Sequence, residues 1–320
     1  MLLSIVLAAT LSQATPPLRP VATYSIVARD PKTGEMGVAV QSHWFSVGTV
    51  VTWAEAGVGV VATQSFVDPA YGKLGLELMR AGKSAPETLR GLLATDDARA
   101  VRQVAMIDAQ GRVATHTGEK CIQGAGHQAG KDFSVQANLM DNDRIWPAMA
   151  KAFQSAPGDL ADRMLAALEA AEAEGGDIRG KQSAAIIVVK AQSSGKSWMD
   201  RTFDLRIEDH PAPLVELRRL MTLQRAYNFM NAGDLAVEKG DAAGALAAYA
   251  AAEKLVPDSE EMVFWHAVSL VGLKRTGEAL PLFKKVFAKA PRYRTLTPRL
   301  VKAGLLPDDP KLLQRILEVR

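Results

Sequence analysis

Cysteine is almost missing from this chain of 320 residues: Cys121 stands alone, which excludes an internal disulfide and any thiolate-based zinc site. The five histidines, His43, His116, His127, His210 and His266, sit at no metal-ligating spacing. No strong charge excess exists either, since 38 basic residues face 35 acidic ones for a net +3. Without a Lys/Arg stripe interleaved with aromatics, a nucleic-acid footprint is excluded. Long apolar runs are also scarce; the longest, Leu2 to Leu11, is too short to span a bilayer. Neither a phosphate-cradling loop nor a serine nucleophile elbow occurs. Gly57-Val58-Gly59-Val60-Val61-Ala62 imitates a dinucleotide fingerprint, but it lies in a strand pattern and opens no helix. Hence no motif asks for a metal or an organic cofactor.

What is present begins with the Leu2–Leu11 run followed by Ser12-Gln13-Ala14, which reads as a secretory signal cut after Ala14. Pro16, Pro17 and Pro20 make a stiff linker, so residues 1–22 form signal plus linker and the mature protein is expected to be periplasmic or secreted. Strand periodicity predicts β-strands at 24–29, 36–42, 47–53, 57–63, 103–108, 112–117, 133–138, 184–190 and 203–207. The first two are joined by Asp30-Pro31-Lys32-Thr33-Gly34, a turn sequence. Helical patterns fall at 70–81, 84–94, 143–155 and 159–174. Strands grouped on either side of central helices, with short turns, predict an α+β domain over 23–212.

From Pro213 to the end the pattern is helical, with an internal repeat. Ala245-Leu246 corresponds to Ala279-Leu280, Tyr249 to Phe283 and Pro257 to Pro291, all at an offset of 34. That period is the tetratricopeptide pattern of paired helices. Residues 213–320 therefore read as a second, all-α domain, with a last helix near 309–318. Two repeats leave apolar helix faces wanting cover, which points to a protein or polymer partner or to self-association.

Thr23, at the head of the first strand, is the principal candidate for chemistry. A free N-terminal threonine carries a hydroxyl nucleophile and, in its own α-amine of pKa about 8, the base that activates it. Ser42, His43, Gln64, Ser65 and Asn138 stand at strand ends, where Ser42 and Gln64 would position groups and Asn138 would donate to an oxyanion. The run Gly175-Gly176-Asp177-Ile178-Arg179-Gly180-Lys181-Gln182-Ser183 adds a polar cluster at a helix-to-strand junction. There Arg179 would clamp a carboxylate and Asp177 orient an amine, with Gln182 and Ser183 beside them.

Five segments in order, YSIVARDPKTGEMGVAV, AGVGVVATQ, Pro69-Ala-Tyr-Gly72, GGDIRGKQSAA and DLRIEDHPAP, resemble the bacterial and archaeal domain of unknown function numbered 1028. That domain is grouped with the N-terminal-nucleophile hydrolases, and the resemblance runs over residues 23 to 220. It implies a four-layer αββα sandwich, with Thr23 as nucleophile once the Ala22–Thr23 bond is cut. The helical tail is similar to an extension labelled as peptidoglycan-binding in that family. Proteasome-like members carry a lysine about thirty residues into the domain; this chain has none between 33 and 72, so Arg179 or Lys181 must supply the cation. Two readings follow. One is an exported amidohydrolase acting on a small-molecule or peptide amide; the other is a non-catalytic envelope scaffold whose helical repeats bind a protein or peptidoglycan.

Overall fold

The structure, a computed structural model, describes residues 22–319, so the expected signal and proline linker lie outside the described residues. Two compact units follow one another along the chain, divided between Leu217 and Arg218. The first contains β1 (Thr23–Arg29), β2 (Met36–Ser42), α1 (Gly48–Val51), β3 (Thr52–Glu55), β4 (Gly59–Ser65), α2 (Ala70–Arg80) and α3 (Ala85–Ala94). It continues through β5 (Arg102–Asp108), β6 (Val113–Thr117), β7 (Gly126–Gly130), β8 (Phe133–Asn138), α4 (Ile145–Ser155), α5 (Leu160–Ala173), β9 (Ser183–Val189) and β10 (Arg201–Ile207).

These strands form two antiparallel sheets, one ordered β10-β9-β2-β1-β8-β7 and the other β3-β4-β5-β6. The β1–β2 turn is local chemistry: the Asp30 carboxylate accepts from the backbone N–H of Lys32 at 2.7 Å, and Gly34 takes φ +76°. Strand alternation then builds the layers. Val27, Val38, Val40 and Ile187 meet Val60, Ala62, Ala105 and Ile107 in one cluster between the sheets. The alternate residues Val61, Val104 and Met106 turn the other way, onto Tyr71 and Leu76 of α2 and Leu89 of α3. On the outer face of the larger sheet, Phe133 stacks on Phe153 of α4 with ring centroids 5.0 Å apart. Each buried aliphatic of this kind contributes about 1.5–3 kcal/mol.

Two elements depart from expectation. The stretch 47–53 is not one strand: Gly48–Val51 is a short helix and only then does β3 begin. Its β-branched residues favour extended backbone, but tertiary bonds decide otherwise. Ser183 Oγ accepts from the N–H of Val47 at 3.2 Å, and Thr52 Oγ1 donates to the carbonyl of Gly48 at 2.7 Å. Strand β7 was unforeseen because Gly126-His127-Gln128-Ala129-Gly130 carries no strand propensity; pairing with β8 alone makes it one.

The second unit is wholly helical. Helix α6 (Pro213–Glu238) leads into it, followed by α7 (Ala242–Leu255), α8 (Glu260–Gly272), α9 (Thr276–Lys289), α10 (Arg292–Lys302) and α11 (Pro310–Leu317). Ala245 and Tyr249 of α7 are fully buried, as are Ala279 and Phe283 at the corresponding places of α9. Pro257 and Pro291 precede α8 and α10. Among the described residues, no helix is long and apolar enough to cross a membrane.

Candidate functional site

Strand β1 lies between β2 and β8 with Thr23 at its leading end, opposite Ser42 on one side and Asn138 on the other. Thr23, Ala22 and Ser42 are all fully buried. The Thr23 hydroxyl donates to Ser42 Oγ at 3.3 Å, and Ser42 Oγ in turn donates to the carbonyl oxygen of Ala22. A second donor, Arg179 Nη2, reaches the same carbonyl at 3.1 Å. The peptide joining Ala22 to Thr23 therefore has its oxygen held by a hydroxyl and a guanidinium, next to the Thr23 hydroxyl.

Arg179 is aimed by Asp177. Oδ1 of that carboxylate accepts from Nε at 3.1 Å and Oδ2 from Nη2 at 2.9 Å, a two-pronged pairing. Asp177 also accepts from the backbone N–H of Arg179 at 2.9 Å and of His43 at 3.0 Å, and its side chain has no exposure. The Gly-rich run thus folds back so that one buried acid fixes both the cation and the start of the β2–α1 loop. Lys181, the other cation considered, turns away and pairs with Glu172 on α5 at 3.0 Å. The same Glu172 accepts from the phenol of Tyr24 at 2.6 Å; burial and then this carboxylate hold the phenol well above its ordinary pKa.

Behind Thr23 the space between the sheets is filled by neutral amides and hydroxyls. Gln64 Nε2 donates to the carbonyl of Thr23 at 3.2 Å and to Gln103 Oε1 at 2.7 Å, while its Oε1 accepts from Ser25 Oγ at 2.5 Å. Gln136 Nε2 donates to Ser25 Oγ at 2.6 Å, and Ser134 Oγ donates to Gln136 Oε1 at 3.0 Å. Asn138 Nδ2 donates to Gln103 Oε1 at 3.0 Å. Gln103 Nε2 ties the set to Thr117 Oγ1 at 3.0 Å and to the carbonyl of Ala137 at 2.8 Å. Burial of so many polar groups is tolerable because nearly all are paired. Just beyond Gln64 and Asn138, Ser65 and Leu139 adopt left-handed backbone at φ +68° and +58°. Each such non-glycine residue stores roughly 1–3 kcal/mol, and such strain tends to gather at functional sites.

Thr23, Ser42, Gln64, Asn138, Asp177 and Arg179 are brought together here. Asn138 differs in role from expectation: its Nδ2 is committed to Gln103, and the buried atom left without a partner is the acceptor Oδ1. His43 joins through its backbone, with its ring on an exposed loop. Gln182 and Ser183 serve elsewhere: Gln182 Nε2 donates to Asp209 at 3.1 Å, and Ser183 Oγ donates to the carbonyl of Trp44, bracing the loop after β2. Ser25, Gln103 and Gln136 were overlooked in the sequence. The available signal was phase, since Gln103 falls on the same strand face as Ala105 and Ile107, and Ser25 on that of Val27, the face between the sheets. Among the described residues, no group of three His, Cys, Asp or Glu side chains is placed to hold a metal.

Of three comparisons with known proteins, two find similarity and one finds none. A family model described as a family of unknown function, DUF1028, matches residues 23–217. The crystal structure of protein SPO2555 from Silicibacter pomeroyi, assigned to that same family model, is 29% identical with a TM-score of 0.57. The similarity covers 62% of this chain and 84% of that one. No curated protein matches.

Proposed function

The chain belongs to the DUF1028 family, and from that premise we propose that it is an exported amidohydrolase that cleaves a C–N amide bond through Thr23. The observation that carries the reading is the Ala22 carbonyl, held by Ser42 and Arg179 beside the Thr23 hydroxyl. The layering of two facing sheets with outer helices supports an N-terminal-nucleophile-like αββα sandwich. The 34-residue offset supports a tetratricopeptide-like second unit.

The first bond to break is the chain's own. Thr23 Oγ adds to the Ala22 carbonyl carbon, and its proton passes through Ser42 Oγ to the carbonyl oxygen, where Arg179 stabilises the developing charge. Collapse moves that proton to the Thr23 nitrogen and breaks the C–N bond, leaving an ester on Oγ. Water then hydrolyses the ester, releasing the preceding segment as an acid and leaving a free α-amine. With a reference pKa of about 8, that amine is the base for the next cycle, in which an external amide carbonyl takes the place of Ala22. Acylation of Oγ expels the substrate's amine, and water completes the turnover. Gln64 holds the backbone carbonyl of Thr23 at 3.2 Å and so keeps the nucleophile in register, while Asn138 makes only a long contact to it.

Intact mass and N-terminal sequencing of protein purified from its native compartment test this. A chain beginning at Thr23 is expected. Thr23→Ala should leave the bond uncut, and Arg179→Met should slow the cut by about a hundredfold, the usual loss for one oxyanion donor. Wild-type protein that keeps its Ala22–Thr23 bond would remove the base and sink the mechanism, leaving a non-catalytic scaffold as the better account.

A further inference from the structure

The helical unit contains a cavity of 610 Å³ whose lining is unusual in charge and in aromatic content. Tyr227, Tyr249 and Trp265 supply rings; Asp234, Glu238 and Glu261 supply carboxylates. Among the described residues, no Lys, Arg or His lines it. Its size is that of a small-ligand or peptide side-chain site. The lining also follows the repeat: Tyr227 and Asn231 of α6 correspond to Glu261 and Trp265 of α8 at the offset of 34. These residues therefore face one groove because successive repeats present equivalent positions to it. The same offset leads from Trp265 to Arg299 on α10, which is not part of the lining, so the negative character belongs to the α6–α8 step.

The polar groups are prearranged. Tyr227 donates its hydroxyl to Glu261 at 2.6 Å, Tyr249 donates to Asp234 at 2.8 Å, and Ser269 donates to the Tyr249 oxygen at 3.0 Å. The Tyr227 phenol is pushed up to about 12 by its bond to Glu261 and by burial. Tyr249 is also pushed up to about 12, by burial first and with Asp234 adding to the rise. Both phenols thus stay neutral donors. Glu261 and Asp234 each spend one acceptor position on a tyrosine and keep others. Rings and spare carboxylate lone pairs around a half-open cavity attract a cation rather than an anion or a neutral polar group. The floor between them is apolar, from Met230, Met262 and Val268, which suits an aliphatic stem.

We propose that this cavity binds a primary ammonium group on an aliphatic stem, as a lysine-type side chain of a peptide would present it. The inference is independent of the chemistry at Thr23.

Calorimetric titration of the full-length protein with three blocked tripeptides, acetyl-Ala-X-Ala-amide, tests it. X is lysine, norleucine (the same four-carbon stem without the ammonium group) or glutamate. Lysine is expected to bind at least tenfold more tightly than norleucine, with no binding by glutamate and with affinity falling as salt is raised. Glu261→Gln keeps an acceptor for Tyr227, and Glu238→Gln changes an exposed side chain; neither should disturb folding, which thermal melts verify. Each should lower lysine affinity several-fold and leave norleucine unchanged. Trp265 fluorescence gives a second readout, absent in Trp265→Phe. Equal affinity for lysine and norleucine, no binding of lysine up to millimolar concentration, or indifference to both Gln variants would overturn the proposal.

Discussion

Replacing Gln103 by leucine removes the hub of the amide network while nearly preserving volume. Its Oε1 takes hydrogen bonds from Gln64 at 2.7 Å and from Asn138 at 3.0 Å. Its Nε2 serves Thr117 Oγ1, the Gly126 carbonyl and the Ala137 carbonyl. Gln64 keeps other acceptors, at 3.2 and 3.4 Å, so it loses least. Asn138 retains only a long contact of 3.5 Å to the Thr23 carbonyl and is effectively stranded. On the other side the Ala137 carbonyl loses a side-chain donor. Two poorly served buried groups at about 1–3 kcal/mol each, partly offset by the apolar leucine, give a loss of about 2–4 kcal/mol. For a unit of this size that lowers the melting midpoint by roughly 5–15 °C. Urea unfolding followed by tryptophan fluorescence measures it. A Trp265→Phe background makes the remaining tryptophans, Trp44, Trp53, Trp146 and Trp198, report on the first unit alone. A loss under about 1 kcal/mol would show that these amides do not act as a connected set, and the account of the buried layer would fail.

Two further perturbations probe the outer layer. Gly72 of α2 lies so close to Trp53 that an added Cβ would stand 2.2 Å from the indole ring. Gly72→Ala should therefore destabilise by about 1–3 kcal/mol, although alanine is the better helix former, and Trp53→Leu in the same chain should recover part of that in a double-mutant cycle. Asp96 is pulled upward by burial, but its pairing with Arg102 at 2.8 Å and its bonds from Ala98 and Tyr71 outweigh this and hold it below its ordinary value of 3.8. In acid the unfolded chain binds the proton first. The contribution is therefore complete above the ordinary carboxylate range and is lost as pH falls through the depressed native value. Asp96→Asn should cost about 3 kcal/mol at pH 7 and flatten the acid limb of a urea-midpoint profile; an unchanged acid limb would refute the assignment.

Much of the fold was legible because alternation and turn chemistry are local. The residues from Thr23 to Ser42 spell out two strands and their turn, and the Ala- and Leu-rich stretch after Asp159 spells out α5, capped by that aspartate. What escaped was imposed from a distance. The helix at Gly48–Val51 depends on Ser183, more than a hundred residues away, and β7 depends on the strand it pairs with. At the candidate site, polar residues at strand ends could be named from the sequence. Their division of labour could not, because Gln182 and Arg179 look alike in a Gly-rich loop until one turns to Asp209 and the other to the Ala22 carbonyl. Gln103 escaped for a different reason: a lone glutamine in a strand normally marks the wet face.

The neutral composition of the layer behind Thr23 also governs where protons can travel. Amides and aliphatic hydroxyls neither accept nor release a proton across the physiological range, so Gln64, Gln103, Gln136, Asn138 and Ser25 form an insulator between the sheets. Tyr24, on the far face of β1, is locked in its protonated form and offers no side exit. On the Ser42 side the Thr23 hydroxyl meets a second hydroxyl that reaches the Ala22 carbonyl, with the Arg179 guanidinium beside it. With the freed α-amine of Thr23 as its base, such a centre would gain rate as pH rises through the ionisation of that amine.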